Sequence, residues 1–423
     1  MAALTGARLR VHGTVRAPGD KSISHRALIL AALADGASRI EHILDSADVR
    51  STADALRALG ASVPALASKI YVQGAELHSP REPLDCGNSG TSTRLLAGVI
   101  AGAGLKATFV GDASLSTRPM GRIAEPLRAM GAQVDLAPHG GLPMVVEGGR
   151  VNAIDYESSV ASAQIKSAIL LAAILGGVRA VVREPHVSRD HTERMLLARG
   201  VQLHREGGMI ELSPQQRVNA LDVRVPADPS SAAFFVSLAL LAGEGELRLT
   251  DVCLNPTRTG FYEALRRMGA SIEFSETREE GGETVGSITA RPSALHGIEI
   301  LPEEVPSMID ELPLFACVAA RAEGESLVQG ASELRVKESD RIATIVKNLT
   351  ALGVIAEELP DGFRITGSRT PLRGSAETQG DHRIAMSFGV LGAASGGQIT
   401  LDDLDCVAVS YPEFWNDLKR VQR

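Results

Sequence analysis

The chain has 423 residues, of which 44% are hydrophobic and only 3% aromatic, and its formal net charge is −8. That length calls for two or more cores, here filled by small aliphatic side chains rather than rings. The acidic balance argues against non-specific nucleic-acid binding, and no apolar run approaches the roughly 20 residues of a membrane span.

The first residues, MAALTGARLR, contain no apolar stretch of the kind a secretory signal needs. The next segment, GDKSISHR (Gly19 to Arg26), enters an Ala-rich helix through an irregular APGD stretch. Lys21 and Ser22 fall at the helix start and Arg26 one turn on. Unpaired N–H groups, the positive dipole end and two cations suit a phosphate or carboxylate. GNSGTSTR (Gly87 to Arg94) repeats this design, with glycines that let a ligand approach the backbone.

Further along, DASLSTRPMGR (Asp112 to Arg122) carries Arg118 before a proline, offering a planar fork to an oxyanion. ASAQIKS (Ala161 to Ser167) sets Ser162 and Gln164 at another helix start, and RDHTER supplies Arg189. IDELPLF (Ile309 to Phe315) puts Asp310 at the head of an apolar helix, as a cap or as a base. LRVKESDR brings Lys337, Glu338 and Arg341, and DHRIAMS opens the last apolar helix with His382 and Arg383. Each segment alone also reads as an ordinary cap or a solvated ion pair.

A repeat orders these segments. A helix end, a Gly and a strand recur as LRALGASV, LRAMGAQV, LLARGVQL, LRRMGASI and LTALGVIA, with Gly60, Gly131, Gly200, Gly269 and Gly353 at a spacing of about 70 residues. Each Gly fits the left-handed position just past a helix C-terminus. A second helix alternates with the first and is apolar nearly all round, so it should be buried. Its versions begin near Ser22, Ser89, Ser159, Ser230, Met308 and Asp381. The unit is a strand–helix–strand–helix–strands module repeated about six times, best accommodated in two domains of three. If the repeats bring those helix starts together, an acidic protein acquires a strongly cationic site for multiply charged anions.

In this order, GDKSISHR, DASLSTRPMGR, ASAQIKS, TRTG (Thr257–Gly260), LRVKESDR and DHRIAMS resemble the EPSP synthase family, over Gly19 to Pro412. SAQ and RDHT are similar to its class II subgroup. The resemblance implies an α/β, two-domain enolpyruvyl transferase fold, an inside-out α/β barrel with three βαβαββ repeats in each domain and the active site in the cleft between them. The expected domains are residues 18–227 and the discontinuous set 1–17 plus 228–423, with crossings near Ala17 and Ala227.

The implied reaction joins the enolpyruvyl group of phosphoenolpyruvate to the 5-hydroxyl of shikimate 3-phosphate by addition and elimination, in the route to chorismate and the aromatic amino acids. Carried over by motif, shikimate 3-phosphate is held by Lys21, Ser22, Arg26, Ser162, Ala163, Gln164, Arg189, Asp310 and Lys337. Phosphoenolpyruvate is held by Lys21, Asn88, Gly90, Arg118, Gln164, Glu338, Arg341 and Arg383. Asp310, Glu338 and Lys21 are the implied catalytic groups, with no metal or organic cofactor. The same resemblance implies a cytoplasmic monomer, inhibited by glyphosate because Gly90 stands where some tolerant members have alanine. The four cysteines, in no metal-ligand spacing, agree with a reducing compartment.

One departure is Val409, near a position where some members carry a lysine, which implies one phosphoenolpyruvate contact fewer. Two rival readings conflict with these residues. The sister enzyme, UDP-N-acetylglucosamine enolpyruvyl transferase, has a reactive Cys where this chain has Ala113. A non-catalytic anion-binding protein on the same repeats would dispense with Lys21, Asp310 and Glu338, all present here.

Overall fold

The structure is a computed structural model, and it describes residues 9–394 and 399–422. The chain divides into two compact units. A central unit holds Gly19–Val225 and the hairpin tip Glu279–Glu283; a terminal unit holds the chain up to Pro18, Pro226–Arg278 and Thr284 onward.

In the central unit three helices, Lys21–Ala32, Gly90–Gly102 and Ala163–Gly176, are buried on almost every side. Beyond their polar first turns, their Ala, Leu and Ile content leaves no polar face, so burial on all sides is their stable arrangement. The Gly90 and Ala163 helices approach closely. A Cβ added at Gly98 would lie 2.3 Å from the Ala168 carbonyl oxygen, and one at Gly102 would lie 2.4 Å from that of Ala172. Small residues on both surfaces let the backbones touch, which is how a chain poor in aromatics fills this core.

Sheets surround these helices, and their strands alternate buried and exposed residues as one-faced sheets should. The second and third repeats each pair a parallel strand with an antiparallel hairpin. Leu84–Asp85 runs parallel to Lys106–Val110, which pairs with Met144–Glu147 and through it with Gln133–Leu136. Ile154–Glu157, Ala180–Arg183, Met209–Leu212 and Leu203–Glu206 repeat the order. In the first repeat the parallel partner of Ala37–Glu41 comes from the far end of the unit, Val223–Arg224, and one expected strand shrinks to the single bridge Ser62 to Gln73.

The terminal unit follows the same plan around the helices Pro229–Leu241, Leu312–Ala319 and His382–Ala394. Thr14–Val15 runs parallel to Leu247–Cys253, which pairs with the hairpin strand Glu283–Arg291. Glu299–Ile300, Glu325–Val328, Gly362–Thr366 and Ile355–Leu359 form the next sheet. Among the described residues the sixth repeat keeps only the parallel pair Gly374–Ala376 and Ile399–Leu401. No closed barrel forms among the described residues; in each unit helices lie inside and sheets outside. No helix among them is long and apolar enough to cross a membrane.

The five repeat glycines all have positive φ, between 81° at Gly200 and 103° at Gly131. Each lies two residues past the end of its helix, where a Cβ would be strained. Two helix starts differ from the sequence reading. The third inner helix begins at Ala163, because the Ser162 side chain caps it by accepting from Ile165 N at 3.4 Å. The fifth begins at Leu312 after two short 3-10 turns, with Pro313 fixing its first turn.

Candidate active site

In the central unit Asp20 caps the first helix, its carboxylate accepting from Ile23 N at 2.8 Å. The next residue, Lys21, reaches across to Asp48, with Nζ and Oδ2 3.0 Å apart and the lysine side chain 19% exposed. Arg26, one turn further, is buried. Its Nε donates to Thr192 Oγ1 (2.6 Å), Nη1 to the Ser22 carbonyl (3.0 Å) and Nη2 to Ser167 Oγ (3.0 Å). Burial lowers its pKa to about 10, with Glu193 and Asp20 opposing that fall and Arg189 adding to it. The guanidinium therefore stays charged at neutral pH. Arg26 thus ties the Ser22 turn to the helices that carry Ser167 and Thr192.

A second group surrounds Gly90. Arg118 donates through Nη1 to the Asn88 carbonyl at 3.4 Å and through Nη2 to the Asn88 side chain and to Ser114 Oγ. Asn88 is itself anchored by donating to Asp112 Oδ2 at 2.7 Å. Arg94 donates to Gln164 Oε1 at 2.9 Å, while Gln164 Nε2 donates to Thr91 Oγ1 at 3.1 Å. A methyl on Gly90 would stand 2.6 Å from Arg94 Nη1 and 3.6 Å from Arg118 Nη1. Gly90 is therefore the gap beside which two guanidinium groups lie. Ser162 and Ala163 open the third inner helix, where Ser162 N donates to Glu184 Oε1 at 2.8 Å.

The terminal unit builds a second cluster on Asp310. Lys337 Nζ and Arg341 Nη1 each stand 3.6 Å from its Oδ1, and Arg383 Nη2 stands 3.7 Å from its Oδ2. Arg383 Nη1 also donates to the Asp310 carbonyl at 3.2 Å. The side-chain separations are ion-pair distances, longer than direct hydrogen bonds. Glu338 accepts from Arg341 Nη2 at 2.7 Å. Behind them Asp381 accepts from Arg341 Nε (2.8 Å) and Nη2 (3.2 Å), and from Arg383 N (2.9 Å). Burial, the largest single influence, would raise the Asp381 pKa, but the charge and hydrogen bonding of Arg341 together with the charge of His382 more than offset it, and the net shift is downward. Burial would likewise lower the pKa of Arg341, but Asp381, Glu338 and Asp310 hold it above its ordinary value. The cluster sets the three carboxylates Asp310, Glu338 and Asp381 against the three cations Lys337, Arg341 and Arg383, so these six groups alone are balanced rather than strongly cationic as the sequence suggested.

Every sequence-predicted site residue thus lies in one of these two units, with direct links within the Gly90 group and within the Asp310 group. Four contributors escaped sequence reasoning: Asp48, Arg94, Asp112 and Asp381. Arg94 closes the GNSGTSTR segment, four residues after Gly90, Asp112 opens DASLSTRPMGR and Asp381 opens DHRIAMS, so all three stood inside motifs already singled out. Asp48 pairs with Lys21 across 27 residues, a relation no local pattern displays.

A family model described as EPSP synthase (3-phosphoshikimate 1-carboxyvinyltransferase) matches residues 6–418. The chain belongs to the EPSP synthase family. It is 46% identical to a 3-phosphoshikimate 1-carboxyvinyltransferase of Sulfurihydrogenibium sp. and 48% identical to one of Roseiflexus castenholzii, in both cases over 98% of each chain. Among solved structures, an EPSP synthase from Acinetobacter baumannii superposes with a TM-score of 0.87 at 38% identity, covering 99% of this chain and 97% of that one. The enolpyruvyl transferase NikO from Streptomyces tendae, at 20% identity and a TM-score of 0.76, shares the fold. The two-unit arrangement of βαβαββ repeats is therefore the enolpyruvyl transferase fold of the EPSP synthase family.

Proposed function

We propose that this chain transfers the enolpyruvyl group of phosphoenolpyruvate to the 5-hydroxyl of shikimate 3-phosphate. The observation that carries the reading is the Asp310 cluster, a carboxylate ringed by Lys337, Arg341 and Arg383, in a chain of this family. Both substrates bear a phosphate and a carboxylate, and both units offer cations at helix starts. Shikimate 3-phosphate is assigned to Lys21, Ser22, Arg26, Ser162, Ala163, Gln164, Arg189, Asp310 and Lys337. Phosphoenolpyruvate is assigned to Lys21, Asn88, Gly90, Arg118, Gln164, Glu338, Arg341 and Arg383.

In this mechanism Asp310 takes the proton of the 5-hydroxyl as its oxygen bonds to C2 of phosphoenolpyruvate. The methylene carbon gains a proton and becomes a methyl group in the tetrahedral intermediate. Loss of a methyl proton and of inorganic phosphate then forms the enol ether. Glu338 and Lys21 are the two groups assigned to the methylene carbon. Glyphosate inhibition, a monomeric state and a cytoplasmic location belong to the same reading.

The sister reaction on UDP-N-acetylglucosamine is disfavoured by Ala113, which opens the short Ala113–Thr117 helix where that enzyme has its reactive cysteine. Cys86, the cysteine nearest in sequence, is buried, and burial pushes its thiol up to about 12, far from an activated thiolate. Mixing the protein with phosphoenolpyruvate and shikimate 3-phosphate should release inorganic phosphate. Release with UDP-N-acetylglucosamine in place of shikimate 3-phosphate, or no release with either acceptor, would overturn the proposal.

A further inference from the structure

Next to the Ser162 helix start the central unit contains an ionic knot. Lys166 Nζ lies 3.0 Å from Glu184 Oε2 and 2.8 Å from Glu193 Oε1, and all three side chains are 1% exposed. Lys166 also donates to the Ser188 carbonyl at 3.2 Å. Glu184 accepts from Ser162 N at 2.8 Å and from Ser188 Oγ at 2.7 Å and 2.9 Å on its two oxygens. Glu193 follows Thr192, whose hydroxyl accepts from Arg26 Nε.

Burying three charges is not an economical way to fill a core, because apolar side chains of the same volume would be about as stable or more so. Apolar side chains would, however, offer no acceptor to Ser162 N or Ser188 Oγ. Glu184 joins two short segments distant from one another in sequence. One is the helix start bearing Ser162, Ala163 and Gln164; the other is the turn whose next residue is Arg189. Both segments supply proposed contacts to one ligand, so their spacing decides whether a phosphate monoester meets all its donors at once.

We propose that Glu184 is a positioning residue for shikimate 3-phosphate: with Lys166 it locks the Ser162–Gln164 helix start to the Ser188–Arg189 turn. The inference rests on the assignment of that ligand to Ser162, Gln164 and Arg189. Glu184→Gln keeps the shape but removes one of the two charges that bind Lys166. Calorimetric titration of the full chain should show the Kd for shikimate 3-phosphate rising about tenfold, while the KM for phosphoenolpyruvate at saturating shikimate 3-phosphate, whose assigned contacts share only Gln164 with this segment, rises by no more than about twofold. Ser188→Ala removes one hydroxyl from the knot and tests the same link if Glu184→Gln does not fold; it should raise that Kd about threefold. A shikimate 3-phosphate Kd within about twofold of the parent value in both variants would overturn the proposal. So would a parallel rise in both substrate constants, the signature of general loosening. Unmutated protein that binds no shikimate 3-phosphate would instead overturn the ligand assignment together with the inference built on it.

Discussion

Arg341 and Asp381 are joined by two hydrogen bonds, 2.8 Å from Nε and 3.2 Å from Nη2, with both side chains buried. Because Arg341 also touches Glu338 and stands 3.6 Å from Asp310, this pair sets the position of both carboxylates assigned to proton transfer.

Asp381→Asn should therefore destabilise the protein by about 3 kcal/mol, since it leaves a buried guanidinium short of its counter-charge. Urea unfolding at pH 7 measures this. The carboxyl's pKa is lower in the folded state than in the unfolded chain, so its contribution is present above the unfolded value and lost as pH falls through the folded one. The difference between parent and variant should accordingly shrink in acid. A difference that stays constant down to pH 3 would contradict the assignment.

His25 predicts a second pH effect. Its ring is buried, with Nδ1 2.7 Å from Thr52 Oγ1, and its pKa falls to about 3. Burial is the main cause; Asp48 opposes it, while Lys21 and Arg26 reinforce it. Below about pH 6.5 the unfolded chain binds a proton that the folded chain refuses, so stability should fall by up to about 1.4 kcal/mol per pH unit from this group alone. His25→Gln should flatten the slope between pH 6.5 and 5 by one proton. An unchanged slope would show that His25 is protonated in the fold.

Gly90→Ala should weaken phosphoenolpyruvate binding through Arg94. The added methyl meets Arg94 Nη1 at 2.6 Å, so that guanidinium must turn away and loosen its hold on Gln164. We expect KM for phosphoenolpyruvate to rise several-fold and the glyphosate inhibition constant to rise by a larger factor. Equal changes in both constants would argue against selective crowding of the inhibitor.

Lys21→Met and Asp310→Ala should each lower kcat by roughly two orders of magnitude or more, the range expected for a group acting on the reacting atoms. Circular dichroism should stay unchanged, because Lys21 lies at a helix start, Asp310 lies in the 3-10 turn Ile309–Glu311, and neither fills a core. A near-normal rate in either variant would remove that residue from the mechanism.

Much of the fold was legible because it depends on local rules. A helix that ends in the left-handed region demands glycine, so Gly60, Gly131, Gly200, Gly269 and Gly353 marked the repeat directly. The long apolar run Ala168–Leu175 within the Ala163 helix marked it as buried. The ends of repeats were less visible. The parallel partner of Ala37–Glu41 is Val223–Arg224, and nothing local relates segments so far apart. The site followed the same division: helix-start cations stood out in their motifs, while Asp48, which pairs with Lys21 from the next helix, could be found only by folding the chain.

The strand Thr14–Val15 completes the first sheet of the terminal unit only by pairing with Leu247–Cys253. During synthesis, therefore, this strand emerges long before its partner exists. The central unit's first sheet, by contrast, closes when Val223–Arg224 appears. Translation order thus favours a folded central unit while the chain ahead of Gly19 still waits as an unmatched edge, and such waiting edges are where aggregation begins. A nascent chain held at the point where Val225 has cleared the ribosome but Leu247 has not should already display protease-resistant helices Lys21–Ala32 and Gly90–Gly102, with Thr14–Val15 still open to cleavage.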